Sequence, residues 1–118
     1  MTASRRVQRV ERELREIVGM YLLAGTKYPI NGMVTVTRVS VSPDLRNARV
    51  FVTMMATDEE KAENLEALKE STPDLQHQIH KQLPMKFCPK VKFEIDKGYD
   101  NVQLVEQRLK EIHEGDED

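Results

Sequence analysis

The sequence predicts an α+β fold in which helices cover one face of a small three-stranded sheet. Three observations predict it. Apolar residues recur at helical spacing through residues 4–24, 57–70, 74–83 and 101–112. They alternate with other residues through 33–42, 48–55 and 90–95, the period of a strand. The third strand follows helices instead of a hairpin turn, so the order is α-β-β-α-α-β-α.

The first helix carries Val7, Val10, Leu14, Ile17, Val18, Tyr21 and Leu22 on one stripe. Ser4 suits its N-cap and Gly25 its end. Arg5, Arg9 and Arg12 fall opposite the stripe, diluted by Glu13 and Glu16. Pro29 and Gly32 mark a turn before the first strand. In that strand Val34 and Val36 are out of phase with Val39 and Val41. A bulge near Arg38, or burial of both faces, accounts for the change. Ser42-Pro43-Asp44-Leu45 turns the chain into a second strand, where Ala48, Val50, Val52 and Met54 alternate with Arg49, Phe51, Thr53 and Met55. The short connection makes the two strands a hairpin.

Thr57, followed by Asp58, Glu59 and Glu60, opens a second helix with apolar Ala62, Leu65 and Leu68. Ser71-Thr72-Pro73 interrupts it, since proline disfavours helix at the residue before it and has no N–H to donate. Proline also suits the first turn of a new helix, and Ser71 and Asp74 have capping-box spacing. The reading is therefore two consecutive helices with an interhelical kink at Ser71, Thr72 and Pro73. Leu75, Ile79 and Leu83 continue the second, and Pro84 ends it. Val91, Phe93 and Ile95 form the third strand. Val102, Val105, Leu109 and Ile112 lie on one side of a last helix before an acidic tail.

The 118 residues make one domain and leave no room for a large multi-domain enzyme. No stretch is long and apolar enough to span a bilayer, and the N-terminal sixteen residues lack the apolar core of a signal peptide. A soluble, cytoplasmic monomer with no membrane partner is expected. The net charge of −2 hides a separation along the chain. Residues 1–50 sum to +5, whereas residues 51–118 sum to −7. Within the second part, residues 56–74 sum to −5, residues 81–97 to +3 and residues 106–118 to −4.

Enzyme chemistry is sought and not found. The five glycines make no phosphate loop, dinucleotide fingerprint or nucleophile elbow. His77 and His80 have a metal-compatible spacing but no third ligand nearby, and His113 suits a helix C-terminus. Cys88 is alone, read as a small buried side chain rather than a reactive thiol. No metal site, cofactor or catalytic residue is expected.

Two segments carry a family resemblance: residues 5–14, with Arg5-Arg6-Val7-Gln8-Arg9-Val10, and residues 33–52, where Val41-Ser42-Pro43-Asp44-Leu45 precedes Ala48, Val50 and Val52. Leu83, Pro89, Phe93 and Asp96 add a third, and the match spans residues 4–112. The chain resembles ribosome-binding factor A, a bacterial small-subunit assembly factor. The resemblance implies a type II KH-like domain over residues 1–112, with an acidic tail at 113–118. It implies a non-enzymatic factor that binds the 30S subunit, through 16S rRNA with ribosomal proteins as further candidate partners, and promotes late 16S rRNA maturation. Where the family has Asp-Pro-Arg in the first turn, this chain has Lys27-Tyr28-Pro29; where the family has Ala-x-Gly at the kink, it has Ser71-Thr72-Pro73. The ordinary KH G-x-x-G loop is absent.

The basic residues meet this implication. Arg5, Arg6, Arg9 and Arg12 on the first helix, with Lys81, Lys86, Lys90 and Lys92 further on, are the expected phosphate contacts. Such contacts bind in a salt-dependent manner with little base specificity. The alternative is a protein–protein adaptor using the acidic helix and the sheet edge. An RNA-processing enzyme is the third reading.

Overall fold

The computed structural model describes residues 4–98. The helix expected over residues 101–112 and the acidic tail lie outside the described residues. Helix α1 (Arg5–Ala24) starts where Ser4 Oγ accepts the Val7 N–H at 3.1 Å. It ends at Gly25, whose φ of 111° favours glycine. Val7, Val10, Leu14 and Val18 are its buried stripe, as the periodicity predicts.

Strands β1 (Met33–Val41) and β2 (Asn47–Met55) pair antiparallel. Their register shifts between Val36 and Arg38, leaving Thr37 without an opposite partner. That bulge resolves the phase change. Val34, Val36, Val39 and Val41 all come to the covered side of the sheet. Strand β3 (Lys90–Ile95) then pairs parallel with β2, giving the order β1-β2-β3. A parallel neighbour needs a long crossover, which helix α2 (Asp58–Gln82) supplies. Both helices lie over one face, and Leu14, Val18, Val50, Val52, Leu68, Leu75, Ile79 and Phe93 are fully buried between the layers.

The expectation of two helices broken at Ser71, Thr72 and Pro73 is corrected: α2 runs unbroken through Pro73. Thr57 and Glu60 close a capping box at its start. Leu68, Ser71, Leu75 and Ile79 form one fully buried line that crosses the proline. Packing of that line outweighs the roughly 3 kcal/mol cost of an interior proline. Thr72 Oγ1 also donates to the Leu68 carbonyl at 2.9 Å.

Ser71 has a different task from capping. Its Oγ accepts the Tyr28 N–H at 3.2 Å, from the loop between α1 and β1. Nearby, Asn64 Oδ1 accepts the Asn31 N–H at 2.8 Å while its Nδ2 donates to the Asn31 carbonyl at 2.6 Å. The Tyr21 hydroxyl donates to Asp74 Oδ2 at 2.8 Å and accepts the Lys27 N–H at 3.2 Å. Burial pushes the Tyr21 phenol up, so it remains a donor. Two side chains of α2 thus hold the loop directly, and Asp74 holds it through Tyr21. Asn64→Leu leaves both Asn31 backbone groups without their partner. A stability loss of about 2–3 kcal/mol is expected, read as a lower denaturation midpoint at constant m-value.

The sheet's outer strands are capped in part by helix side chains. Glu11 Oε2 accepts the Val41 N–H at 2.9 Å, and Gln76 Oε1 accepts the Val91 N–H at 3.1 Å.

Candidate nucleic-acid interface

A cleft of about 870 Å³ opens where the start of α1, the β1–β2 turn and the α2–β3 loop converge. The turn is built by its own polar groups. Asp44 Oδ1 accepts Ser42 Oγ–H at 2.6 Å and the Arg46 N–H at 3.1 Å. Leu45 takes a φ of 62°, a conformation that costs a non-glycine residue about 1–2 kcal/mol. The Lys90 N–H donates to the Arg46 carbonyl at 2.9 Å, which ties the turn to the first residue of β3. Gln76 Nε2 holds the loop from the other side, donating to the Pro89 carbonyl at 2.9 Å.

Four cations line the cleft: Arg6, Arg46, Lys86 and Lys90. Asp44 is the one carboxylate among the described lining residues, and its pKa is lowered by the Ser42 and Arg46 hydrogen bonds. Phe87 is 78% exposed, with Lys86 Nζ 5.6 Å from its ring centre. A ring left in water beside cations that form no ion pair among the described residues suits a base stacking next to its phosphate. Cys88, also in the lining, is half-buried; burial pushes its thiol up and keeps it protonated.

Of the residues predicted from sequence, Arg6, Lys86 and Lys90 are brought together here. Lys92 instead borders a second concavity beside Arg49 and Glu94. Arg9 pairs with Glu13 on its own helix at 3.2 Å. Arg5, Arg12 and Lys81 are exposed on their helices, and the cleft is built without them. Arg46 and Phe87 were missed. Arg46 stands in the turn of the resemblance segment, and Phe87 is an aromatic flanked by Lys86 in a proline-bounded loop; both were legible signals. Among the described residues no group of three metal-capable side chains occurs, and no helix is long and apolar enough to cross a membrane.

Because Asn keeps the Oδ1 acceptor, Asp44→Asn preserves the turn while removing the one negative charge. RNA affinity is expected to rise about fivefold, because a phosphate then meets no like charge at the turn. A filter-binding titration at low salt checks this.

The comparisons with known proteins agree with the geometry. The family model for ribosome-binding factor A matches residues 6–109. The ribosome-binding factor A of Bdellovibrio bacteriovorus is 38% identical over 95% of this chain and 84% of its own. That of Chlamydia pneumoniae is 38% identical over 97% of both. Among solved structures, a Thermotoga maritima protein described as a ribosome binding factor A matches with a TM-score of 0.69 at 29% identity, over 83% of this chain and 93% of that one. The crystal structure of the Thermus thermophilus factor matches with a TM-score of 0.65 at 21% identity, over 75% of this chain and 93% of its own. The α+β class and the KH-like fold that the resemblance implied therefore stand, and the chain belongs to the ribosome-binding factor A family.

Proposed function

We propose that this chain binds the small ribosomal subunit through rRNA phosphates and promotes late 16S rRNA maturation without catalysing a reaction. The supporting observation is the convergence of Arg6, Arg46, Lys86 and Lys90 around one cleft beside an exposed Phe87. Guanidinium forks and lysine ammonium groups hold backbone phosphates, and the fold reads RNA shape instead of sequence. Family membership agrees, since coordinates of the Thermus thermophilus factor have been fitted to a map of a complex with the 30S subunit; they match this chain at 23% identity with a TM-score of 0.56. Binding energy does the work. A factor that prefers one rRNA arrangement shifts the population toward it by its difference in affinity for the two.

The acidic start of α2, with Asp58, Glu59, Glu60 and Glu63, faces away from phosphates in this reading. The adaptor alternative by strand addition is disfavoured at Val41 and Val91, whose N–H groups are already taken by Glu11 and Gln76. Co-sedimentation with immature small subunits over a salt series tests the proposal. Binding should fall linearly on a logarithmic salt scale, with a slope near 0.7–0.9 per phosphate contact. Salt-independent binding would sink it.

A further inference from the structure

The sheet face turned away from the helices carries a second set of cations. Phe51 lies on that face at the centre of β2. The Arg38 guanidinium sits 4.1 Å from the centre of the Phe51 ring, and the Arg49 guanidinium 5.0 Å from it. The two arginines differ in what else they do. Arg49 donates through Nε to Glu94 at 3.0 Å and forms an ion pair with it, and Arg49 lowers the Glu94 pKa. Arg38 forms no ion pair among the described residues. Arg38 is exposed while its guanidinium lies over an aromatic ring, so the fork is restrained yet open to an anion.

Lys92 extends the set, since it stands opposite Arg49 in the β2–β3 register. Lys69 of α2 joins the rim of the same concavity, which measures about 550 Å³. The two carboxylates among its described lining residues are both engaged: Glu94 by Arg49, and Asp96 by the Thr37 hydroxyl at 2.6 Å. The face is continuous with the cleft. Lys90, which lines the cleft, and Lys92 are two residues apart on β3, hence about 6.6 Å apart on one side of the strand. That separation is close to the spacing of successive phosphates along an RNA strand.

We infer that the sheet face opposite α1 and α2 is a second RNA contact, on which the exposed Arg38, Arg49 and Lys92 continue the phosphate path that begins in the cleft. The inference rests on the RNA-binding reading above and deepens it. A strand held at both places is bound along the sheet as well as at its end, so the protein restrains a longer piece of RNA than the cleft alone reaches. Specificity for RNA over free phosphate comes from the two sites acting together through one backbone.

The test uses the full chain and a labelled single-stranded RNA. Arg38→Met keeps an unbranched apolar chain over Phe51 while deleting the charge, and Lys92→Gln removes its neighbour. The pair of substitutions should weaken binding about tenfold at low salt. It should also lower the salt slope by about 1.4–1.8, as expected for two lost contacts. A photo-reactive residue at Ser40, exposed on the same face opposite Arg49, should cross-link to the RNA. This second readout does not depend on the stability of the variant. An unchanged slope together with no cross-link at Ser40 overturns the inference. If Arg6→Glu with Lys90→Glu then still abolishes binding, only the sheet-face site falls. If that pair is also without effect, the RNA reading falls with it.

Discussion

Arg6→Glu combined with Lys90→Glu is expected to lower affinity for RNA and for immature small subunits at least a hundredfold near 0.1 M salt. The two positions sit on different elements, the first turn of α1 and the first residue of β3, yet both line one cleft. Among the described lining residues, four cations and one carboxylate sum to +3, and the double reversal takes that to −1. Both side chains are exposed, so folding should change by no more than about 0.5 kcal/mol. The β3 start remains anchored, because the bond from Lys90 to the Arg46 carbonyl uses the backbone N–H. Co-sedimentation and a thermal melt on the same preparation decide the matter. Wild-type binding by a variant with a wild-type melt would remove the cleft from the RNA path.

Pro73→Ala is expected to stabilise the protein by about 1–2 kcal/mol. The new N–H can donate to the Lys69 carbonyl, and the clash of the ring with the preceding turn is relieved. Part of the roughly 3 kcal/mol gain is offset by the greater freedom of the unfolded chain without proline. The sign of the effect is the informative part. Proline opening a separate helix would favour the fold, and its loss would lower the melting temperature. An unbroken α2, with Leu68, Ser71, Leu75 and Ile79 buried on one line, requires the melting temperature to rise. A differential scanning measurement distinguishes the two.

Residues 70–74 show why sequence reasoning mistook one helix for two. Local rules see Ser-Thr-Pro-Asp and correctly register both a breaker and a cap. Neither rule sees that Ser71 is needed at the buried surface to accept the Tyr28 N–H, or that Asn64 binds the same loop directly and Asp74 holds it through Tyr21. The opposite case is the bulge of β1. The phase change of four valines was legible, because side-chain alternation has a period of two; it left a bulge or burial of both faces, and the register decides for the bulge. Caps at Ser4 and Thr57 and the stop at Gly25 were legible for a similar reason: each satisfies backbone groups within three or four residues.

The candidate site divides along the same line. Arg6, Lys86 and Lys90 were picked out by charge runs, and they do meet. Their company did not follow from those runs. Arg46 enters through a turn, Phe87 through an exposed loop, and Arg38 through packing on a ring thirteen residues away. Lys92 was grouped with Lys90 as one run, but the structure gives them different concavities.

By itself the sequence determined the α+β class, the strand and helix periods, the caps, the separation of charge and the family. All of these are written in short-range spacing or in shared residues. Only the tertiary structure decided that α2 is one helix, that β3 joins β2 in parallel, and which cations share a cleft. Those outcomes depend on groups distant in sequence meeting across the core. There, burial of a continuous apolar line and pairing of buried polar groups outweigh the local preferences that a sequence displays.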